Sequence, residues 1–108
     1  MKVYLLAGAE EDLKDLRRYI LRNFGDAVWH DSYRKIKESV ALLQSAPESG
    51  SIPDELAVLN LSQYRQIISG MNRIFYEIRG NALYIHLVCD GRRDMQTLLS
   101  RRLLRTTG

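Results

Sequence analysis

The strongest constraint on the fold lies between residues 9 and 46, where two apolar stripes of helical spacing are separated by one short break. Ala9, Leu13, Leu16, Ile20 and Phe24 recur at intervals of four, three, four and four, which aligns them on one face of an α-helix. Trp29, Tyr33, Ile36, Val40 and Leu43 then repeat at four, three, four and three, with Lys35, Lys37 and Glu38 on other faces. Asn23 and Gly25 supply a stop, Asp26 is a good N-cap for the second helix, and Pro47 ends that helix. A two-residue link between helices of about 15 and about 20 residues implies an antiparallel helical hairpin.

The flanks read as a small sheet. Lys2 to Ala7 has the β-branched and aromatic content of a short strand, and Gly8 allows a turn after it. Glu10, Glu11 and Asp12 suit the positive end of the first helix. Pro47 to Asn60 holds both prolines, Gly50 and two serines and reads as a connector. Three extended stretches follow, Tyr64–Ser69, Asn72–Arg79 and Leu83–Cys89, punctuated by Gly70 and Gly80-Asn81 as hairpin turns. In the middle stretch Ile74, Tyr76 and Ile78 form a core parity, and the alternate positions are mostly polar. In the last, Leu83, Ile85, Leu87 and Cys89 share one parity. Asp94 caps a short helix carrying Met95, Leu98, Leu99 and Leu103. The expected architecture is α+β, in the order β-α-α-β-β-β-α. The helical hairpin lies on one face of a small, mostly antiparallel sheet, and residues 1–108 form a single domain.

Composition removes several classes of function. One cysteine, Cys89, and two histidines, His30 and His86, allow neither an intramolecular disulfide nor a zinc-site spacing. Gly8, Gly25 and Gly50 are too isolated for a phosphate loop, so no cofactor and no metal are expected. The start, Met1 to Ala9, mimics a signal peptide, but its apolar run is short and Glu10-Glu11-Asp12 follows at once. No run approaches the roughly 20 apolar residues that span a bilayer. A reduced cytoplasmic protein with no membrane partner is the expectation.

Charge is unevenly placed. Residues 1–91 carry four Lys and seven Arg against twelve acids, a net of −1, and residues 92–108 carry five Arg against Asp94 alone, a net of +4. A basic end on a near-neutral body fits contact with phosphate or with an acidic protein surface. Arg65, Arg73, Arg92, Arg93, Arg101 and Arg102 are therefore the candidate target-binding residues, Arg73 because its strand parity is polar and a guanidinium there can grip a phosphate or carboxylate bidentately. His86, with Glu77 on the neighbouring strand, could serve as an acid–base pair beside Arg73. Cys89 continues an apolar parity as a core thiol, and Trp29 opens the second helix on its apolar stripe. Leu21, Val28, Leu42 and Trp29 would leave an exposed apolar patch on the hairpin, suited to a partner segment.

Four motifs stand in register on this element order. They are Ala9-Glu10-Glu11-Asp12-Leu13, Tyr64-Arg65 entering a strand, Gly70 to Tyr76 as G-x-x-R-I-x-Y, and Arg92-Arg93-Asp94. Together they resemble the RelE/ParE superfamily of type II toxin–antitoxin toxins. The resemblance implies growth arrest, plasmid stabilisation and a cognate antitoxin whose C-terminal segment wraps the toxin, here over Leu21, Val28, Trp29 and Leu42. It also implies one of two activities. A ParE-like toxin inhibits DNA gyrase by binding and is not an enzyme. A RelE-like toxin is a ribosome-dependent mRNA endoribonuclease, for which Arg73, Arg92, His86 and Glu77 would be the catalytic set. The nuclease branch often carries a tyrosine or histidine after the last strand, and no Tyr or His follows His86. The long hairpin and the arginine-rich end look more like the ParE branch.

Overall fold

A computed structural model of the chain describes residues 1–91 and 95–103. The elements are β1 (Lys2–Leu5), α1 (Ala7–Asn23), α2 (Asp26–Ser45), a 3-10 turn (Pro47–Ser49), α3 (Asp54–Val58), β2 (Tyr64–Ser69), β3 (Asn72–Arg79), β4 (Ala82–Asp90) and α4 (Met95–Leu103). Four strands form one sheet in the order β1-β4-β3-β2. β1 runs parallel to β4, and the β2–β3 and β3–β4 pairs are antiparallel hairpins. Gly70 and Gly80 open the two tight turns with φ of 61° and 58°, the left-handed backbone that such turns need at their first position. The N-cap proposed at Asp94 falls outside the described residues.

The hairpin packs as its periodicity requires. Ala9, Ile36 and Leu43 are buried against Ile74, Tyr76, Leu83, Ile85 and Val88 of the sheet, with Leu13, Leu16 and Val40 partly buried beside them. Phe24, the last residue of the first stripe, is exposed, because α1 has already ended at Asn23. The Tyr76 hydroxyl pins the connector to the sheet: it donates to Pro47 O at 2.6 Å and accepts from Gly50 N at 3.0 Å.

The structure corrects three expectations. First, β1 stops at Leu5, and Gly8 lies in the first turn of α1 rather than in a loop. A Cβ at Gly8 would collide with the Arg102 guanidinium. Second, β4 does not keep one parity. Phe75 pairs with Leu87 but Tyr76 pairs with Ile85, so His86 is an extra residue. Such a β-bulge flips the side-chain alternation. Leu83, Ile85 and Val88 therefore face the hairpin, and Leu87 and Cys89 face the other way. Third, that other face is not mostly polar. Leu56 of α3 and Leu98, Leu99 and Leu103 of α4 cover Phe75, Leu87, Cys89 and Tyr64 in a second core. The sheet is buried between two helical layers, and Cys89 is a core thiol as expected.

Candidate functional site

The bulge creates a problem that two distant charged residues solve. Since β1 ends at Leu5, the edge of β4 beyond Ile85 has no strand beside it among the described residues, and backbone polar groups left there need partners. Asp12 Oδ2 accepts from Val88 N at 3.1 Å, and Arg102 Nη2 donates to His86 O at 3.1 Å. Arg102 also donates to both Asp12 oxygens, at 2.9 and 3.3 Å. One ion pair thereby ties α1, the bulge and α4 together. Nothing local in the sequence announces it.

The candidate arginines separate sharply. Arg73 is bidentate to Glu55, at 2.8 and 3.0 Å, and its Nε donates to Gln66 at 2.6 Å. The guanidinium holds the Glu55 carboxyl below the usual carboxylate range, and Glu55 in turn raises Arg73. Arg65 donates to Gly50 O at 2.8 Å and to Glu48 O at 3.4 Å. With Arg102 held by Asp12, three of the candidates serve internal contacts, and Arg101 is exposed. Arg92 and Arg93 lie outside the described residues.

His86 and Glu77 do meet: His86 Nε2 lies 3.0 Å from Glu77 Oε1. Glu77 also accepts from Arg79 at 2.8 Å. As a carboxylate it only accepts, so the neutral imidazole donates from Nε2. The two side chains are only 8% and 13% exposed, and the Tyr64 ring packs edge-on to the imidazole at 5.0 Å. Arg73 stands four residues along β3 from Glu77, about 13 Å of strand, and is committed to Glu55. The catalytic set of the nuclease reading is not assembled among the described residues.

Burial pushes the His86 pKa below its ordinary value near 6.5, against the opposing pull of Glu77. The folded state then binds fewer protons than the unfolded chain as pH falls through the window below about 6.5, so stability falls there. Urea midpoints at about pH 7.5 and about pH 5.5 should differ more for the wild type than for His86→Gln. Equal differences would contradict this reading of His86.

The hairpin's patch is only partly as expected. Val28 and Leu42 are 43% and 60% exposed, Leu21 is half-buried, and Trp29 is 8% exposed and stacked on Tyr33. The sequence did not disclose a groove of about 350 Å³ along the β1 side of α2. Its walls include Leu5, Leu13, Tyr33 and Ala41, its floor is Ile74, Ile85 and Val88, and Lys37 stands at its rim. A second hollow, lined by Trp29, Glu10, Lys14 and Arg17, shares Leu5, Leu13 and Tyr33 with it. Leu42 lies on the opposite flank of α2, facing Ile67 and Ile68.

A family model decides the relationship: the model of the ParE toxin of the parDE type II toxin–antitoxin system matches residues 3–95. The chain belongs to the ParE toxin family. The ParE fold is also seen in a solved structure, the chromosomal ParDE toxin–antitoxin system from P. aeruginosa, with a TM-score of 0.69 at 15% identity. That match covers 83% of this chain and 95% of the other. A search of curated protein sequences gives no significant match. The family is that of the toxins of type II toxin–antitoxin systems, which implies an antitoxin partner. Among the described residues, no helix is long and apolar enough to cross a membrane, and no acidic, histidine and cysteine side chains are grouped to hold a metal ion.

Proposed function

We propose that the protein is a cytoplasmic toxin that arrests growth by binding and inhibiting DNA gyrase, and that a cognate antitoxin neutralises it. The observation that carries this reading is the ParE family match over residues 3–95. The internal partners of Arg65, Arg73 and Arg102 leave Arg101 as the exposed candidate among the described residues, and Arg92 and Arg93 remain candidates from the sequence of the basic end.

The antitoxin surface is proposed to be the groove between β1, α1 and α2 rather than the outer face of the hairpin. An amphipathic helix laid there would bury the exposed parts of Leu5 and Tyr33 together with the groove floor. Lys37 at the rim of the larger groove favours an acidic residue on that segment, whereas Lys14 and Arg17 share the second hollow with Glu10. Trp29 would anchor one end, and Val28 and Leu21 would lie near that end. Leu42 would stay outside.

Expression in cells without antitoxin should stop growth, induce the DNA-damage response and leave messenger RNA intact. Transcripts cut at defined codon positions during the arrest would overturn the reading in favour of a ribosome-dependent nuclease. Normal growth would overturn it in favour of a domain that only binds antitoxin.

A further inference from the structure

At the outer corner of the sheet, on the face opposite the hairpin, three planar groups form a column across the strands. Tyr4 of β1 stands beside its register partner Tyr84 of β4. Their rings are stacked at 5.3 Å between centroids and 17° between planes. The Arg79 guanidinium of β3 lies over the Tyr84 ring at 5.0 Å. The spatial order of these strands is β1-β4-β3, so the column ends at the sheet edge on Tyr4, which is 44% exposed.

Beside Tyr4 is an open hollow of about 740 Å³, lined by Met1, Lys2, Tyr4, Asn81 and Ala82. Lys2 lies two residues before Tyr4 and so on the same sheet face, with no ion-pair partner among the described residues. Glu77, the acid on this part of the face, is nearly buried and already bonded to Arg79 and His86. The exposed charge of the corner is positive.

We propose that this corner binds single-stranded nucleic acid. An unpaired base extends the column onto the Tyr4 ring, Lys2 takes the adjoining phosphate, and the Asn81 amide meets the base edge. The hollow offers the three chemistries a nucleotide unit needs, an aromatic plane, a cation and a two-way hydrogen-bonding amide. Apart from Tyr4, only Met1 and Ala82 are apolar there, too little for an apolar peptide anchor. The hollow is also too open to enclose a free mononucleotide, so neighbouring nucleotides must contribute. Within a base-paired duplex every interior base is already stacked on both faces. The proposal is independent of the gyrase reading.

The test is fluorescence anisotropy of a labelled oligothymidylate of roughly ten nucleotides, a length within the usual single-strand site sizes. Wild type should bind it at low salt. Tyr4→Ala should weaken binding about 10-fold, the scale of one lost stack, and Tyr4→Trp should retain it. Lys2→Glu should weaken binding and flatten its salt dependence. A duplex of equal length and thymidine monophosphate should both compete at least about 10-fold less well than the strand. Absence of binding by wild type would overturn the proposal and leave the corner to a protein partner. Unchanged affinity in Tyr4→Ala, or equal competition by duplex or mononucleotide, would overturn it as well.

Discussion

Asp12→Ala should lower the stability of the fold by about 3 kcal/mol and the melting temperature by about 15 °C. The carboxylate is the shared acceptor for Val88 N–H and for the Arg102 guanidinium, and the Asp12 and Arg102 side chains are both only partly exposed. Removing it strands a backbone donor beside the bulge and a cation against Gly8. A fully buried broken pair costs about 3–5 kcal/mol, and partial exposure of this one places the loss at the lower end. Asp12→Asn, whose amide oxygen can still accept from Val88, should lose about half as much. Because the two residues act on each other, Asp12→Ala and Arg102→Ala should be non-additive by at least about 1 kcal/mol in a double-mutant cycle. Strict additivity would mean that the pair does not hold α4 to α1.

Ala41→Glu should weaken antitoxin binding by at least about 2 kcal/mol, or roughly 30-fold, as the loss of a central interface contact does. Ala41 is exposed and lines the groove, so the substitution leaves the core intact while placing a charge where an apolar helix would sit. Its sign also repels the acidic partner that Lys37 favours. Leu42→Glu, on the far flank of α2, should change affinity by less than about 3-fold, within the range of neutral surface substitutions. Calorimetry with the two variants decides between the surfaces. If Leu42→Glu proves the more damaging, the antitoxin covers the outer face of the hairpin instead.

The elements that the sequence disclosed are those whose signals are local. The hairpin was legible because its apolar spacing repeats over four turns in each helix, and the meander because Gly70 and Gly80 mark turns that only a left-handed residue opens comfortably. The bulge at His86 was hidden by composition. Leu87, Val88 and Cys89 are all apolar, so either parity after His86 reads as core. α3 is five residues long, too short for a periodic pattern, and with it the second core layer went unseen. Arg73, Arg65 and Arg102 drew functional readings because a strand or helix pattern shows a cation without its acceptor. Glu55 lies 18 positions from Arg73 and Asp12 lies 90 from Arg102, so no spacing links them. The groove is likewise a product of where β1 ends and how α2 crosses the sheet. His86 and Glu77 meet because the short turn at Gly80-Asn81 sets the β3–β4 register, which is a local signal.

DNA supercoiling by purified gyrase, measured with the antitoxin-free protein, tests the central claim most directly. The account predicts that supercoiling falls as toxin is added, that cleaved DNA accumulates, and that stoichiometric antitoxin restores the supercoiled product. Unchanged supercoiling at a toxin concentration that arrests cells would contradict it.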